Sequence, residues 1–90
     1  MLQTISIIVR GRVQGVFYRQ STKEKAIELN INGLVKNLPD GSVYILATGT
    51  TEKLNALVEW CWHGPRKAIV TDVLQDICAL QHFDSFRIEK

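Results

Sequence analysis

The chain has 90 residues, of which 46% are apolar and 22% charged, and its net charge is +2. This length predicts one domain, residues 1–90, and the apolar content excludes a largely disordered chain. No apolar run approaches the ~20 residues that a membrane-spanning helix needs. The small net charge does not indicate a nucleic-acid or membrane partner. The first residues lack the basic and apolar regions of a signal peptide, so we expect a cytoplasmic location.

Two cysteines, Cys61 and Cys78, allow one disulfide, and their flanks show no metal-ligand spacing. Because no secretory signal is visible, we expect two reduced thiols in the core. The sequence leaves open whether the two ever pair. No linker, repeat or low-complexity segment divides the chain, which supports one compact unit.

The first half of the chain predicts a strand, a helix and a hairpin. Alternating β-branched residues predict a strand over Thr4–Arg10. A helical pattern with a charged exterior follows from about Gln20 to Asn30. Two short extended runs, Leu34–Leu38 and Val43–Thr48, flank the turn signal Pro39-Asp40-Gly41 and therefore predict a hairpin.

The second half predicts another helix and two more strands. Thr50 or Thr51 is suited to cap a helix whose apolar residues recur three and four positions apart. His63-Gly64-Pro65 ends that helix. Strands are expected from Ala68 to about Val73 and over Ser85–Ile88. The order β-α-β-β-α-β, with an extra edge strand, predicts an α+β fold with a four- to five-stranded antiparallel sheet and both helices on one face.

The segment from Gly11 to Arg19, G-R-V-Q-G-V-F-Y-R, lies between the first strand and the first helix. Backbone N–H groups in a glycine-rich strand-to-helix turn can converge on an anion, helped by the helix dipole. Arg19, at the start of the helix, can donate two parallel hydrogen bonds to a phosphate or carboxylate. The alternative is that the glycines only turn the chain and Arg19 lies on the surface. Spacing alone does not decide between the two.

Asn37 is a second candidate, at the end of a strand and just before the Pro39-Asp40-Gly41 turn. Its amide can accept a hydrogen bond from a water and donate one to an anion. From its position alone, a local hydrogen bond to the turn backbone is the favoured interpretation.

Two long motifs resemble those of the acylphosphatase family. G-R-V-Q-G-V-F-Y-R is similar to the family signature G-x-V-Q-G-V-x-[FY]-R. The segment Gly33–Gly41, G-L-V-K-N-L-P-D-G, resembles the second motif, G-x-V-[RK]-N-x-x-x-G. The His63-Gly64-Pro65 turn and the terminal Phe86-Arg87-Ile88 also match the family layout. The resemblance covers nearly the whole chain and implies a ferredoxin-like α/β sandwich.

The resemblance also implies an activity and roles for individual residues. The reaction would be hydrolysis of an acyl phosphate to a carboxylate and inorganic phosphate. Arg19 would clamp the phosphoryl oxygens, and Asn37 would orient the attacking water. The phosphate-binding loop implied by the family comprises Val13, Gln14, Gly15, Val16, Phe17, Tyr18 and Arg19, whose backbone amides would bind the phosphoryl group. We expect no metal, no cofactor, no nucleic-acid or membrane partner, and a monomer.

Two alternatives to an enzyme stay open at this point. One is a ferredoxin-like module that binds RNA through Phe17, Tyr18 and Tyr44, although no RNP-like run occurs and a charge of +2 is weak for that role. The other is a non-catalytic module that binds phosphate or carbamoyl phosphate, as in larger carbamoyl-transferring enzymes. We expect a free-standing hydrolase. The sequence does not identify the physiological acyl phosphate.

Overall fold

A computed structural model describes all residues, 1–90. All of the expected helices and strands are present, and neither helix is long and apolar enough to cross a membrane. The predicted end of the fourth strand, at about Val73, was wrong, because that strand continues to Cys78. In chain order the elements are β1 (Leu2–Arg12), α1 (Tyr18–Glu28), β2 (Asn32–Asn37), β3 (Val43–Thr50), α2 (Thr51–His63), β4 (Ile69–Cys78) and β5 (Phe86–Glu89).

The five strands form one sheet in the order β4-β1-β3-β2-β5. β1 pairs antiparallel with β3 and β4, and β2 pairs antiparallel with β3. β5, however, runs parallel to β2, so the expected all-antiparallel sheet was wrong at this edge. The reason is the connection: residues 79–85 cross one end of the sheet, from β4 at one edge to β5 at the other. The chain therefore re-enters the sheet in the direction of β2.

A ring of hydrogen bonds holds this crossing segment in place. The Gln81 N–H donates to Thr4 Oγ1 at 2.9 Å, and the Thr48 hydroxyl donates to the Gln81 carbonyl at 2.7 Å. The two threonine oxygens lie 2.6 Å apart. Either hydroxyl can supply the proton of this bond, and the Thr4 hydroxyl also lies 3.4 Å from the Gln81 carbonyl, so the three residues form a closed ring. This fixes where β5 joins the sheet.

The core lies between the sheet and the two helices. Ile5, Ile7 and Val9 occupy alternate positions of β1 and are buried. Their side chains lie on the face of the sheet that packs against the helices. Paired β3 residues continue the same layer, since directly opposite residues share a face. Side chains at the intervening positions of β1 point to the other, open face. The buried core cluster comprises Ile5, Ile7, Val9, Val13, Val16, Tyr18, Ala26, Ile31, Val35, Val43, Ile45, Ala47, Leu54, Leu57, Cys61 and Phe86.

The cysteines are both free, but only one of them is in the core. Cys61 is fully buried on α2, as expected. Cys78 is half-buried and pairs with Thr4, whose side chain lies on the face opposite Ile5. The expectation of a second core thiol was therefore wrong. The sheet separates the two side chains, because strand alternation places Cys78 on the open face.

Both ends of α2 follow the local rules that the sequence indicated. Thr50 is the N-cap, and its hydroxyl accepts a hydrogen bond from the Lys53 amide at 3.4 Å. Gly64 ends the helix with a φ of 63°, in the left-handed region that glycine enters without steric cost. Its amide donates to the Trp60 carbonyl at 2.8 Å. Pro65 then prevents another turn.

Candidate active site

A cavity of about 380 Å³ lies where the loop after β1 meets the end of β2 and the edge strand β5. It brings together Arg19 and Asn37, the two residues singled out in separate motifs. Gln14 and Val16 of the predicted loop do not line it, whereas Gln20 and Ile88, which sequence reasoning missed, do. The lining residues are Val13, Gly15, Phe17, Tyr18, Arg19, Gln20, Asn37 and Ile88.

The backbone of the loop leaves its N–H groups free. None of the amides of residues 13–17 donates to a backbone carbonyl. The amides of the first turn of α1 have no carbonyl four residues earlier within the helix. Consecutive free amides at a helix N-terminus form a site for an anion. The loop therefore has the donors that its glycine-rich sequence suggested.

Two residues of the loop adopt left-handed backbone angles. Gly15 has a φ of 75°, and a Cβ built on it would meet no atom within 4 Å. Because Gly15 lines the cavity, the backbone is open there to close approach by a ligand. Phe17 has a φ of 63° and forms the N-cap of α1, where its carbonyl accepts from the Ser21 amide at 3.0 Å. A non-glycine residue in this region is uncommon and carries a conformational cost.

Gln14 ties the loop to the β2–β3 turn. Its Nε2 donates to the Leu38 and Ser42 carbonyls, both at 2.9 Å. The turn is itself braced, because the Ser42 amide and hydroxyl donate to Asp40 Oδ1 and so lower the pKa of that carboxyl. Asn37 immediately precedes this turn. The Gln14 side chain thus sets the loop against Asn37, a positioning role that the sequence did not reveal.

Tyr18 ties the start of α1 to the end of α2. Its hydroxyl donates to the Cys61 carbonyl at 2.7 Å in a buried environment. The residue four positions after Cys61 is Pro65, which has no N–H, so this carbonyl has no donor within its own helix. Burial raises the pKa of the Tyr18 phenol far above its usual value and that of the Cys61 thiol to about 12. Both groups therefore stay protonated at neutral pH.

Arg19 is a cation without a carboxylate partner. It is half-buried, and the ion pairs of the protein are Lys25–Glu28 and Arg87–Glu89. No acidic side chain lines the cavity. A charged guanidinium in a cleft without a counter-charge favours binding of an anion.

Asn37 carries the one buried side-chain polar atom of the protein that has no hydrogen-bond partner, its Oδ1. The sequence favoured a hydrogen bond from Asn37 to the backbone of the turn, but this oxygen makes none. Asp40 makes the side-chain hydrogen bonds of the turn instead. A buried acceptor without a donor costs about 1–3 kcal/mol. Because Asn37 also lines the cavity, its acceptor without a donor calls for a functional explanation, and a bound donor such as water provides one.

The fold and the cavity together define an α+β domain whose cavity has the free amides and the arginine that suit an anion. The acylphosphatase family model matches residues 5–88, and the chain belongs to that family. An acylphosphatase from Marinobacter nauticus is 51% identical over 82 residues, which cover 90% of this chain and 89% of the relative.

Two solved structures give the same result. The acylphosphatase of Coxiella burnetii superposes with a TM-score of 0.95 at 39% identity and covers 98% of this chain and 93% of its own. That of Bacillus subtilis has a TM-score of 0.95 at 37% identity and covers 100% of both chains. The expected fold and the expected class of enzyme, an acylphosphatase that acts as a hydrolase, are confirmed.

Proposed function

We propose that the enzyme hydrolyses the carboxyl–phosphate bond of small acyl phosphates in this cavity. The phosphoryl group binds to the free amides of residues 13–19, and the Arg19 guanidinium clamps its oxygens. Asn37 holds the attacking water. The observation that carries this proposal is that one cavity is lined by both an arginine without a carboxylate partner and an asparagine whose side-chain oxygen has no donor.

The reaction begins with a water that donates a hydrogen bond to Asn37 Oδ1. Its oxygen attacks phosphorus as the bond between phosphorus and the acyl oxygen breaks. The electron pair of that bond leaves with the carboxylate, which is a stable anion and needs no general acid. The cavity contains no carboxylate or imidazole that could act as a base. The proton of the water therefore passes to a phosphoryl oxygen of the substrate.

Catalysis of this kind depends on positioning and on stabilisation of charge. Each charge-assisted hydrogen bond contributes about 1.5–3 kcal/mol. Several loop amides and one arginine can thus lower the barrier by several kcal/mol, where each ~1.4 kcal/mol is a factor of ten in rate. The ties from Gln14 and Tyr18 hold these donors in place before the substrate arrives.

We further propose that the reaction needs no metal. The cavity offers no carboxylate, imidazole or thiolate, the groups that hold metals in proteins, and the chain has no cluster of three such residues elsewhere. We also propose that the enzyme is a monomer and is located in the cytoplasm.

An RNA-binding role has little support in the placement of the aromatic residues. Tyr18 is buried between α1 and α2, and Phe17 lines the cavity. Only Tyr44 lies on the open face of the sheet, where the Lys36 ammonium sits 5.6 Å from its ring centroid. RNA-binding sheets of this kind stack two or three bases on their aromatics. A single tyrosine offers one such position.

Hydrolysis of benzoyl phosphate, followed by loss of ultraviolet absorbance in the presence of EDTA, tests the proposal. We expect turnover by the wild type and about 10²–10³-fold lower kcat/KM for Arg19→Gln and for Asn37→Ala. Arg87→Gln and Asn55→Ala change exposed residues outside the cavity and serve as matched controls that should retain full activity. A folded wild type without turnover, or full activity in Arg19→Gln, would overturn the proposal.

A further inference from the structure

We infer that Phe17 and Ile88 form an apolar acyl-binding rim, so that the enzyme favours acyl phosphates with longer apolar acyl groups. This inference rests on the proposed function and adds the substrate class to it. Phe17 comes from the N-cap of α1 and Ile88 from the edge strand β5, and both line the cavity that contains Arg19 and Asn37.

Phe17 has no structural reason to be a large aromatic residue. Its side chain is 78% exposed and is absent from the core cluster. Its backbone is left-handed, with a φ of 63°, which is unfavourable for a bulky side chain. A large exposed apolar side chain on a strained backbone beside a cavity indicates a binding role, since folding gains nothing from it.

Ile88 supplies the second apolar wall. It is half-buried, packs against the core and faces the cavity. It pairs with Val35 of β2, two residues before Asn37, so Ile88 and Asn37 are diagonal neighbours on the same face of the sheet. The wall therefore stands next to the proposed water-binding residue, and β5 fixes its position.

The polar and apolar parts of the cavity match the two ends of an acyl phosphate. The loop amides and Arg19 suit the phosphoryl group, which leaves the acyl group to contact the remaining lining. Each methylene buried on an apolar surface contributes ~0.8 kcal/mol, which corresponds to about a fourfold gain in affinity. On a rim that stays partly open to water, we expect a gain of roughly two- to fourfold in kcat/KM for each added methylene.

The test compares acetyl, butanoyl and hexanoyl phosphate, which differ in apolar length and hardly at all in the acidity of the leaving carboxylate. The readout is the slope of log kcat/KM against chain length, measured as release of inorganic phosphate. We expect a positive slope for the wild type, a shallower slope for Phe17→Ala and for Ile88→Ala, which each leave one wall of the rim, and partial recovery in Phe17→Leu. Because Phe17 is exposed, its variants should fold. They keep the test valid even if Ile88→Ala fails to fold.

Ile77→Ala is the matched control for Ile88→Ala, because Ile77 is 79% exposed on β4 and lies outside the cavity. It should retain the wild-type slope. Equal kcat/KM values along the series in the wild type, or an unchanged slope in Phe17→Ala, would overturn the inference of an apolar acyl-binding rim. Failure of the wild type to hydrolyse any member would instead overturn the proposed function, and the rim with it.

Discussion

Replacement of Tyr18 by phenylalanine tests how the loop is tied to the rest of the fold. The substitution removes only the hydroxyl and keeps the aromatic ring. The centroid of that ring lies 5.5 Å from the centroid of the Trp60 ring. The Cys61 carbonyl then loses its donor, and Pro65 cannot supply another. Since an unsatisfied buried acceptor costs about 1–3 kcal/mol, we expect the free energy of unfolding to fall by that amount. The corresponding decrease in Tm is about 4–8 °C for each kcal/mol.

Urea unfolding at pH 7 measures this loss, which should appear as a lower midpoint with an unchanged m-value. Tyr44→Phe is the matched control, because Tyr44 lies on the open face and its hydroxyl makes no hydrogen bond within the protein. That variant should stay within about 0.5 kcal/mol of the wild type. If Tyr18→Phe were as stable as Tyr44→Phe, the hydroxyl would not be tying the loop to α2.

Three further predictions concern stability. Burial raises the pKa of Cys61 from 9.0 to about 12, so between these values only the unfolded chain loses this proton. The free energy of unfolding is retained well below pH 9 and should be lower by roughly 1 kcal/mol at pH 10. Urea unfolding between pH 7 and 10 under reducing conditions should show this fall in the wild type and a clearly smaller one in Cys61→Ala, where the raised pKa of the buried Tyr18 phenol still contributes. Gly33→Ala should lower the urea midpoint by the equivalent of at least about 2 kcal/mol, because its φ is 152° and a Cβ would collide with a backbone carbonyl of β3. Gly41→Ala, with open space around it, should cost less, and equal midpoints would contradict this account. Thr48→Val breaks the hydroxyl ring and should cost about 1–2 kcal/mol in thermal unfolding, whereas the exposed Thr71→Val should be nearly neutral.

The strands that contact the core were predictable, because burial imposes an alternation that the sequence displays. Ile5, Ile7 and Val9 are the clearest case. β4 is an edge strand, and past Val73 its apolar residues follow no such pattern: Leu74 and Ile77 are both exposed, on opposite faces. Backbone pairing with β1 extends the strand there, and side-chain periodicity does not record it.

The parallel pairing of β5 depends on contacts between distant segments. The strand has four residues, too few for a periodic signal. Its place in the sheet follows from the crossing segment, which Thr4 and Thr48 hold by their ring with Gln81. Three polar residues so far apart in the chain give no local sequence pattern. For that reason the edge was expected to be antiparallel.

The candidate site was predictable in its residue types and not in its geometry. Arg19 and Asn37 came from motifs, and spacing alone left their roles open. The lack of a carboxylate partner for Arg19 and of a donor for Asn37 Oδ1 became visible only in the folded chain. Ile88 joins the cavity through β5, so nothing near the two motifs pointed to it.

The most direct test of the proposed mechanism is the affinity of inorganic phosphate, measured by titration calorimetry in the two site variants beside their kcat. If Arg19 clamps the phosphoryl group, Arg19→Gln should bind phosphate at least about tenfold more weakly, as expected for loss of a charge-assisted hydrogen bond. If Asn37 orients water, Asn37→Ala should bind phosphate within about twofold of the wild type and yet show about 10²-fold lower kcat. Wild-type phosphate affinity in Arg19→Gln, or wild-type kcat in Asn37→Ala, would contradict this division of roles.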